Sequence, residues 1–176
     1  MPVPTRRNTE WVYIKGKLRF SMLPPGPPDM GFGGSGAARY KATVYPIPED
    51  LDILRGFQKE GMKNIEKRDD DGSYFTFSRP TAIIAAGKTI GLEPPTVLDK
   101  DGNPFHQQIG KGSDITIKLE VYKHKVPGRE GGAKAARLAS VRVDNLVPFQ
   151  NEIDLTERQQ KAIQGLMEQP KPNYNF

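Results

Sequence analysis

IGKGSDITIKLEVYKHKVPGREGGAKAARLASVRVDNLVPF, residues 109–149, is the stretch whose reading decides the fold. Ile115, Ile117, Leu119 and Val121 alternate with Thr116, Lys118, Glu120 and Tyr122. A period of two turns one set toward a core and leaves the other wet, so this is a strand with an aliphatic and a basic, aromatic face. After a basic, glycine-rich loop, Val141 and Val143 continue the pattern and Arg142 points the other way. Two long strands joined by a loop result. Cations and rings together on a wet strand face suit a polyanion with stackable bases.

The same alternation recurs upstream. In WVYIKGKLRFSM, residues 11–22, Val12, Ile14, Leu18 and Phe20 share one parity, and Trp11, Tyr13, Lys15, Lys17 and Arg19 the other. Gly16 within that run predicts a bulge or sharp bend, as a small barrel needs. Residues 23–38 are dense in proline and glycine and read as a mobile loop. In RYKATVY, residues 39–45, Arg39, Lys41, Thr43 and Tyr45 share a face. Pro46 and Pro48 stop that strand. Pro48 with Glu49, Asp50 and Asp52 suits a helix N-terminus, and the stripe Leu51, Leu54, Phe57, Met62, Ile65 predicts a helix running to Arg68. Asp69 to Gly72 turn into a third strand, SYFTFSR, where Phe77 and Arg79 share a face. A short helix is expected over Leu155–Met167, capped by Asp154 or Thr156.

These elements predict a mainly β fold: an OB-fold-like, five-stranded Greek-key barrel with one intervening helix and a short C-terminal helix. A β-sandwich is the structural alternative. The expected division is a flexible N-terminal arm over 1–10, the barrel over 11–150, the C-terminal helix over 151–168 and a disordered tail over 169–176.

Bulk composition agrees with one β-rich domain: 176 residues, 36% hydrophobic, with 18 glycines and 16 prolines. No apolar run approaches the ~18 residues a membrane helix needs, and no hydrophobic stretch follows MPVPTRRNTEW as a secretory signal requires. Cysteine is absent, which removes disulfides and thiolate metal sites and favours a reducing, cytoplasmic compartment. The net charge of +5 is unevenly spread. Residues 1–48 hold seven Lys/Arg against Glu10 and Asp29, and residues 105–145 hold eight against four acids. Both segments read as strands, so neighbouring positions in one sheet would make a basic stripe.

Catalytic motifs fare poorly. AIIAAGKT, residues 82–89, ends like a phosphate-binding loop but has Ala82 where the cradle needs glycine. GFGGSG, residues 31–36, lacks the following helix that would hold a pyrophosphate. Asp99-Lys100-Asp101-Gly102-Asn103 begins like a calcium loop, yet Gly110 stands where a bidentate glutamate must close the cage. His106 and His124 have no cysteine or spaced carboxylate to join as metal ligands. A nuclease or nucleotide hydrolase needs clustered carboxylates; the acids gather instead over 49–71. No enzymatic activity, cofactor or metal is expected.

IGKGSDITIKLEVY, the basic loop and AARLASVRVDNLVPF resemble the single-stranded-DNA-binding proteins of tailed bacteriophages. WVYIKGKLRF, DDDGSYFTFSRPT and PPTVLDKDGNPF fall in the order expected of that family, so the resemblance spans most of residues 11–149. It implies an OB-fold that coats single-stranded DNA without sequence preference during phage replication and recombination. That role is played in the cytoplasm of an infected bacterium, without a cofactor and without a membrane. Such proteins often recruit polymerase and helicase through an acidic tail ending in an aromatic. Here Phe176 is terminal but QPKPNYN precedes it, which puts tail-mediated recruitment in doubt.

On this reading Lys15, Lys17, Arg19, Arg39, Lys41, Lys118 and Arg142 meet phosphates, while Tyr13, Tyr45 and Tyr122 stack on bases; Phe77 and Arg79 join them as a further pair. The competing reading is a phage structural or adaptor barrel that mediates protein–protein contacts.

Overall fold

The computed structural model describes residues 9–30 and 38–149. The expected N-terminal arm (but for its last two residues), C-terminal helix and tail, and part of the 23–38 loop, lie outside them. Nine strands and one helix follow in order: β1 (Glu10–Met22), β2 (Arg39–Pro46), α1 (Pro48–Lys59), β3 (Lys67–Asp69), β4 (Gly72–Pro80), β5 (Ala82–Ala85), β6 (Lys88–Gly91), β7 (Thr96–Leu98), β8 (Asp114–Val126) and β9 (Arg129–Asn145). Seven form one sheet in the order β3-β4-β2-β1-β8-β9-β7; β5 and β6 make a separate hairpin. Neighbours are antiparallel except β7, which runs parallel to β9. The sheet coils into an OB-fold-like barrel that does not close. Two short edge strands, β3 and β7, supplement the five expected from the sequence.

The inner face is the aliphatic parity. Ile14, Leu18, Ala42, Val44, Phe75, Phe77, Ile115, Ile117, Leu119, Val121, Leu138, Val141 and Val143 form one core, joined from α1 by Leu54 and Phe57. Removing each large side chain from water contributes roughly 1.5–3 kcal/mol. Gly16 is the pivot of β1, pairing with Ile115 of β8 on one side and Pro46 of β2 on the other. A Cβ there would overlap the carbonyl oxygen of Tyr45, so only glycine lets the strand pass from one partner to the next.

Two local expectations are corrected. The β1 register shifts between Leu18 and Phe20, so a bulge at Arg19 turns Phe20 outward, 46% exposed, instead of into the core. The helix ends at Lys59 rather than Arg68. Gly61 takes φ +97°, its N–H donates to the Gln58 carbonyl and that of Met62 to the Phe57 carbonyl, a Schellman stop. Met62 is nonetheless buried, whereas Ile65 lies exposed. AIIAAGKT forms the β5–β6 hairpin, with Ala86 and Gly87 both at positive φ at its tip. That is a type I′ turn, not a phosphate cradle.

Phe77 and Arg79, expected to bind DNA, both face inward with Phe75. Phe77 is fully buried and stacks near-parallel to Phe75 at 6.1 Å. Arg79 spans the open seam between β4 and β9: its Nε donates to the Glu93 carbonyl at 2.6 Å and a terminal nitrogen to the Leu138 carbonyl at 3.5 Å. Burial, then the nearby Arg137, lowers its pKa. Counting two residues at a time from Phe75 places both on the core parity.

Candidate nucleic-acid interface

Antiparallel partners directly opposite each other project to the same face, so the register determines which side chains meet. From β1 to β8, Tyr13 lies opposite Lys118, Lys15 opposite Thr116 and Lys17 opposite Asp114; β9 adds Arg142 opposite Thr116. From β1 to β2, Lys17 lies opposite Tyr45, Phe20 opposite Thr43 and Met22 opposite Lys41. From β2 to β4, Arg39 lies opposite Pro80, Lys41 opposite Ser78 and Thr43 opposite Thr76, whose hydroxyls bond at 2.8 Å. Tyr122 follows Lys118 and Glu120 along β8, opposite Ala135. The outer face of one continuous sheet thus carries Tyr13, Lys15, Lys17, Arg39, Lys41, Tyr45, Lys118, Tyr122 and Arg142. Arg19, at the bulge, reaches the same surface through Tyr74 and Asp69.

Four of the seven expected phosphate-binding cations already hold a carboxylate. Lys17 Nζ sits 2.9 Å from Asp114, Arg19 Nε 2.8 Å from Asp69, Lys41 Nζ 2.7 Å from Asp29 and Arg142 Nε 2.6 Å from Asp144. Among the described residues the Lys15 and Lys118 ammonium groups and the Arg39 guanidinium form no ion pair; of Lys15 only the backbone N–H meets a carboxylate, donating to Asp50 at 2.7 Å. Asp69 is the most heavily used: it also accepts the Tyr45 hydroxyl at 2.6 Å. Arg19 first, and Tyr45 second, hold its carboxyl down at about 2. Desolvation, reinforced by Asp69, pushes the Tyr45 phenol up to about 12, so it stays a donor throughout the neutral range. Lys17 lowers Asp114 in the same sense.

Three exposed or half-buried rings escaped the sequence-based choice. Trp11, 47% exposed, shares the parity of Tyr13 and lies under the Lys118 ammonium at 4.5 Å. Phe20 was hidden by the bulge and now lies under Lys41 at 5.6 Å. Tyr74, one residue out of phase with Phe75, sits beneath Arg19 at 4.2 Å and edge-on to Tyr45 at 5.9 Å. Parity would have found Trp11 and Tyr74; no sequence signal marks the bulge. These cation–ring pairs hold guanidinium and ammonium groups beside aromatic faces, the two components that phosphates and bases require.

No group of three or more His, Cys, Asp or Glu side chains gathers into a metal site among the described residues. Asp99 instead spends Oδ1 on the amides of Asp101 and Asn103, both at 2.9 Å, closing its own turn. Nor is any helix among the described residues long and apolar enough to cross a membrane.

No family model matches the sequence, and no curated protein matches it. Solved structures do. Gp2.5, a single-stranded DNA binding protein encoded by bacteriophage T7, superposes with a TM-score of 0.57 at 17% identity, over 85% of this chain and 94% of its own. The single-stranded DNA-binding protein of bacteriophage Enc34, in complex with single-stranded DNA, gives 0.52 at 13% identity, over 84% and 97%. A second structure of the Enc34 protein gives 0.50 at 14%, over 90% and 97%. The fold is theirs. It is also the fold that the sequence resemblance implies, and it extends over most of the chain.

Proposed function

We propose that the outer sheet face binds single-stranded DNA without sequence preference, coating it during phage DNA replication and recombination. The observation that carries this reading is the register, which sets Tyr13, Lys118, Lys15, Lys17 and Tyr45 side by side on one face with Trp11 and Phe20 beside them. Cations there neutralise phosphates and release counterions, and rings stack on any base, a combination that needs unpaired strands and no base-edge code. The likeness to a phage single-stranded DNA-binding protein in complex with single-stranded DNA supports the same choice of ligand. The protein acts as a binder rather than a catalyst, in the cytoplasm of the infected cell, and polymerase and helicase are its expected partners there.

Trp11 is the sole tryptophan and lies on this face, so its fluorescence reports on the interface directly. Titration with oligothymidine is expected to quench it saturably, and added salt to reverse the quenching. Binding measured by an independent method that leaves the Trp11 signal untouched would move the site elsewhere.

A further inference from the structure

The segment joining α1 to β3 is braced far beyond what a connection needs. Arg55 Nε and a terminal nitrogen donate to the two Glu66 oxygens at 2.7 and 2.9 Å, and the Ser73 hydroxyl donates to Glu66 at 2.7 Å. Gln58 Nε2 donates to the Asn64 carbonyl at 3.3 Å, and Asn64 Nδ2 to the Thr76 carbonyl at 2.7 Å. Arg55, then Ser73, pulls the Glu66 carboxyl down to about 2, so the brace is ionised at neutral pH. What the braces present is Lys63, Ile65 and Lys67. Ile65 is 66% exposed, and among the described residues neither lysine has an acidic partner.

Beyond the Lys67–Tyr74 pair, the segment parts from β4 and leaves a cavity of about 260 Å³ lined by Lys63, Asn64, Ile65, Lys67, Tyr74 and Thr76. No carboxylate lines it. Tyr74 and Thr76 are outer-face residues of β4, linked to the rest of that face by the Tyr45 ring and the Thr43 hydroxyl. The cavity is therefore the margin of the proposed interface, at the β3 edge of the sheet.

We infer that this cavity is an end subsite for one nucleotide of the bound strand: its base lodges between Ile65 and Tyr74, and the flanking phosphates meet Lys63 and Lys67. The inference rests on the single-strand reading above. Two cations without an acidic partner among the described residues, one ring and one aliphatic side chain match the phosphates and base of a nucleotide. The Asn64 amide and the Thr76 hydroxyl are spent on Thr76 and Thr43 and hold the wall in place. Bracing by Glu66 and Asn64, which act as positioning residues, removes the ordering cost that a loose loop would incur on binding.

The test is affinity for oligothymidines lengthened one nucleotide at a time, for wild type and for the Ile65→Ser/Lys67→Gln variant of the full chain. Both substitutions fall on exposed side chains, and the melting temperature checks that the fold is kept. For wild type, affinity should climb with length until the track is filled. For the variant it should stop climbing one or two nucleotides sooner, with the shortest oligomers bound equally by both. The salt exponent for long oligomers should also fall by about 0.7 for the lost phosphate contact. Identical length profiles, or an equal loss at every length, would overturn the subsite while leaving single-strand binding intact. A wild type that binds no oligothymidine would instead overturn the reading on which the subsite depends.

Discussion

Lys17 and Asp114 show what the face costs and gains at the scale of single residues. Their ion pair is exposed, 63% and 43% at the side chains, so it adds little stability, but it cancels a charge that a phosphate could use. Asp114→Asn is therefore expected to leave the melting temperature nearly unchanged and to tighten single-stranded DNA binding several-fold at low salt, with a steeper salt dependence. Unchanged affinity in a fluorescence titration would place Lys17 off the DNA path. Tyr13 and Phe77 make the opposite pair. Tyr13 is 57% exposed, and Tyr13→Ala should cost about 1–3 kcal/mol of binding with no loss of fold. Phe77 is fully buried, and Phe77→Ala should cost about 3–5 kcal/mol of stability in urea unfolding, whatever it does to DNA. A destabilised Tyr13 variant, or a Phe77 variant of wild-type stability, would contradict the assignment of faces.

Individual elements show how far the sequence could be read. Alternation alone gave β8 and the Val141–Val143 end of β9, because their inner residues are aliphatic and a slip of one residue would expose them all. The basic, glycine-rich stretch from Arg129, expected to be a loop, instead pairs with β8 as the first part of β9. It also gave β1 as far as Leu18. Beyond that point an extra residue at Arg19 inverted the parity, a choice made by pairing with β2 and not by local composition. Likewise the helical stripe ran on through Met62 and Ile65, but Gly61 at positive φ ended α1 and sent those two residues to different environments. Strands β3 and β7 are three residues each, too short for a period to show. Gly16 was legible as a bend, and Gly16→Ala should destabilise the barrel by about 1–3 kcal/mol, since its methyl group would meet the Tyr45 carbonyl. A variant as stable as wild type in urea would mean that β1 relaxes around the added atom.

Asp69 ties elements together as well, linking β3 to β1 through Arg19 and to β2 through Tyr45. Its carboxyl and that of Glu66 lie near 2 when folded, against ordinary values of 3.8 and 4.5. Depressed carboxyls mean that the unfolded chain binds more protons over this range, so their contribution is complete above about pH 4.5 and fades as pH falls toward 2. Melting temperature should decline through that window, and less so in an Asp69→Asn variant, which has already lost the ionised form. A decline that is the same in the variant would take Asp69 out of the acid transition.

At the scale of the whole molecule, one sheet does two jobs. Its aliphatic side makes the core of an open barrel, with Arg79 bridging the seam, and its other side carries rings and cations in rows fixed by the register. A formal charge of +5 is too small to hold a polyanion by bulk attraction; the distribution has to do it. Duplex DNA offers this surface phosphates but no open base faces, whereas a single strand offers both. The decisive measurement is a direct comparison of single-stranded and duplex DNA of equal length, titrated at several salt concentrations. The account predicts clearly tighter binding of the single strand, weakening log-linearly with salt. Equal affinity for the two forms, or affinity indifferent to salt, would contradict it.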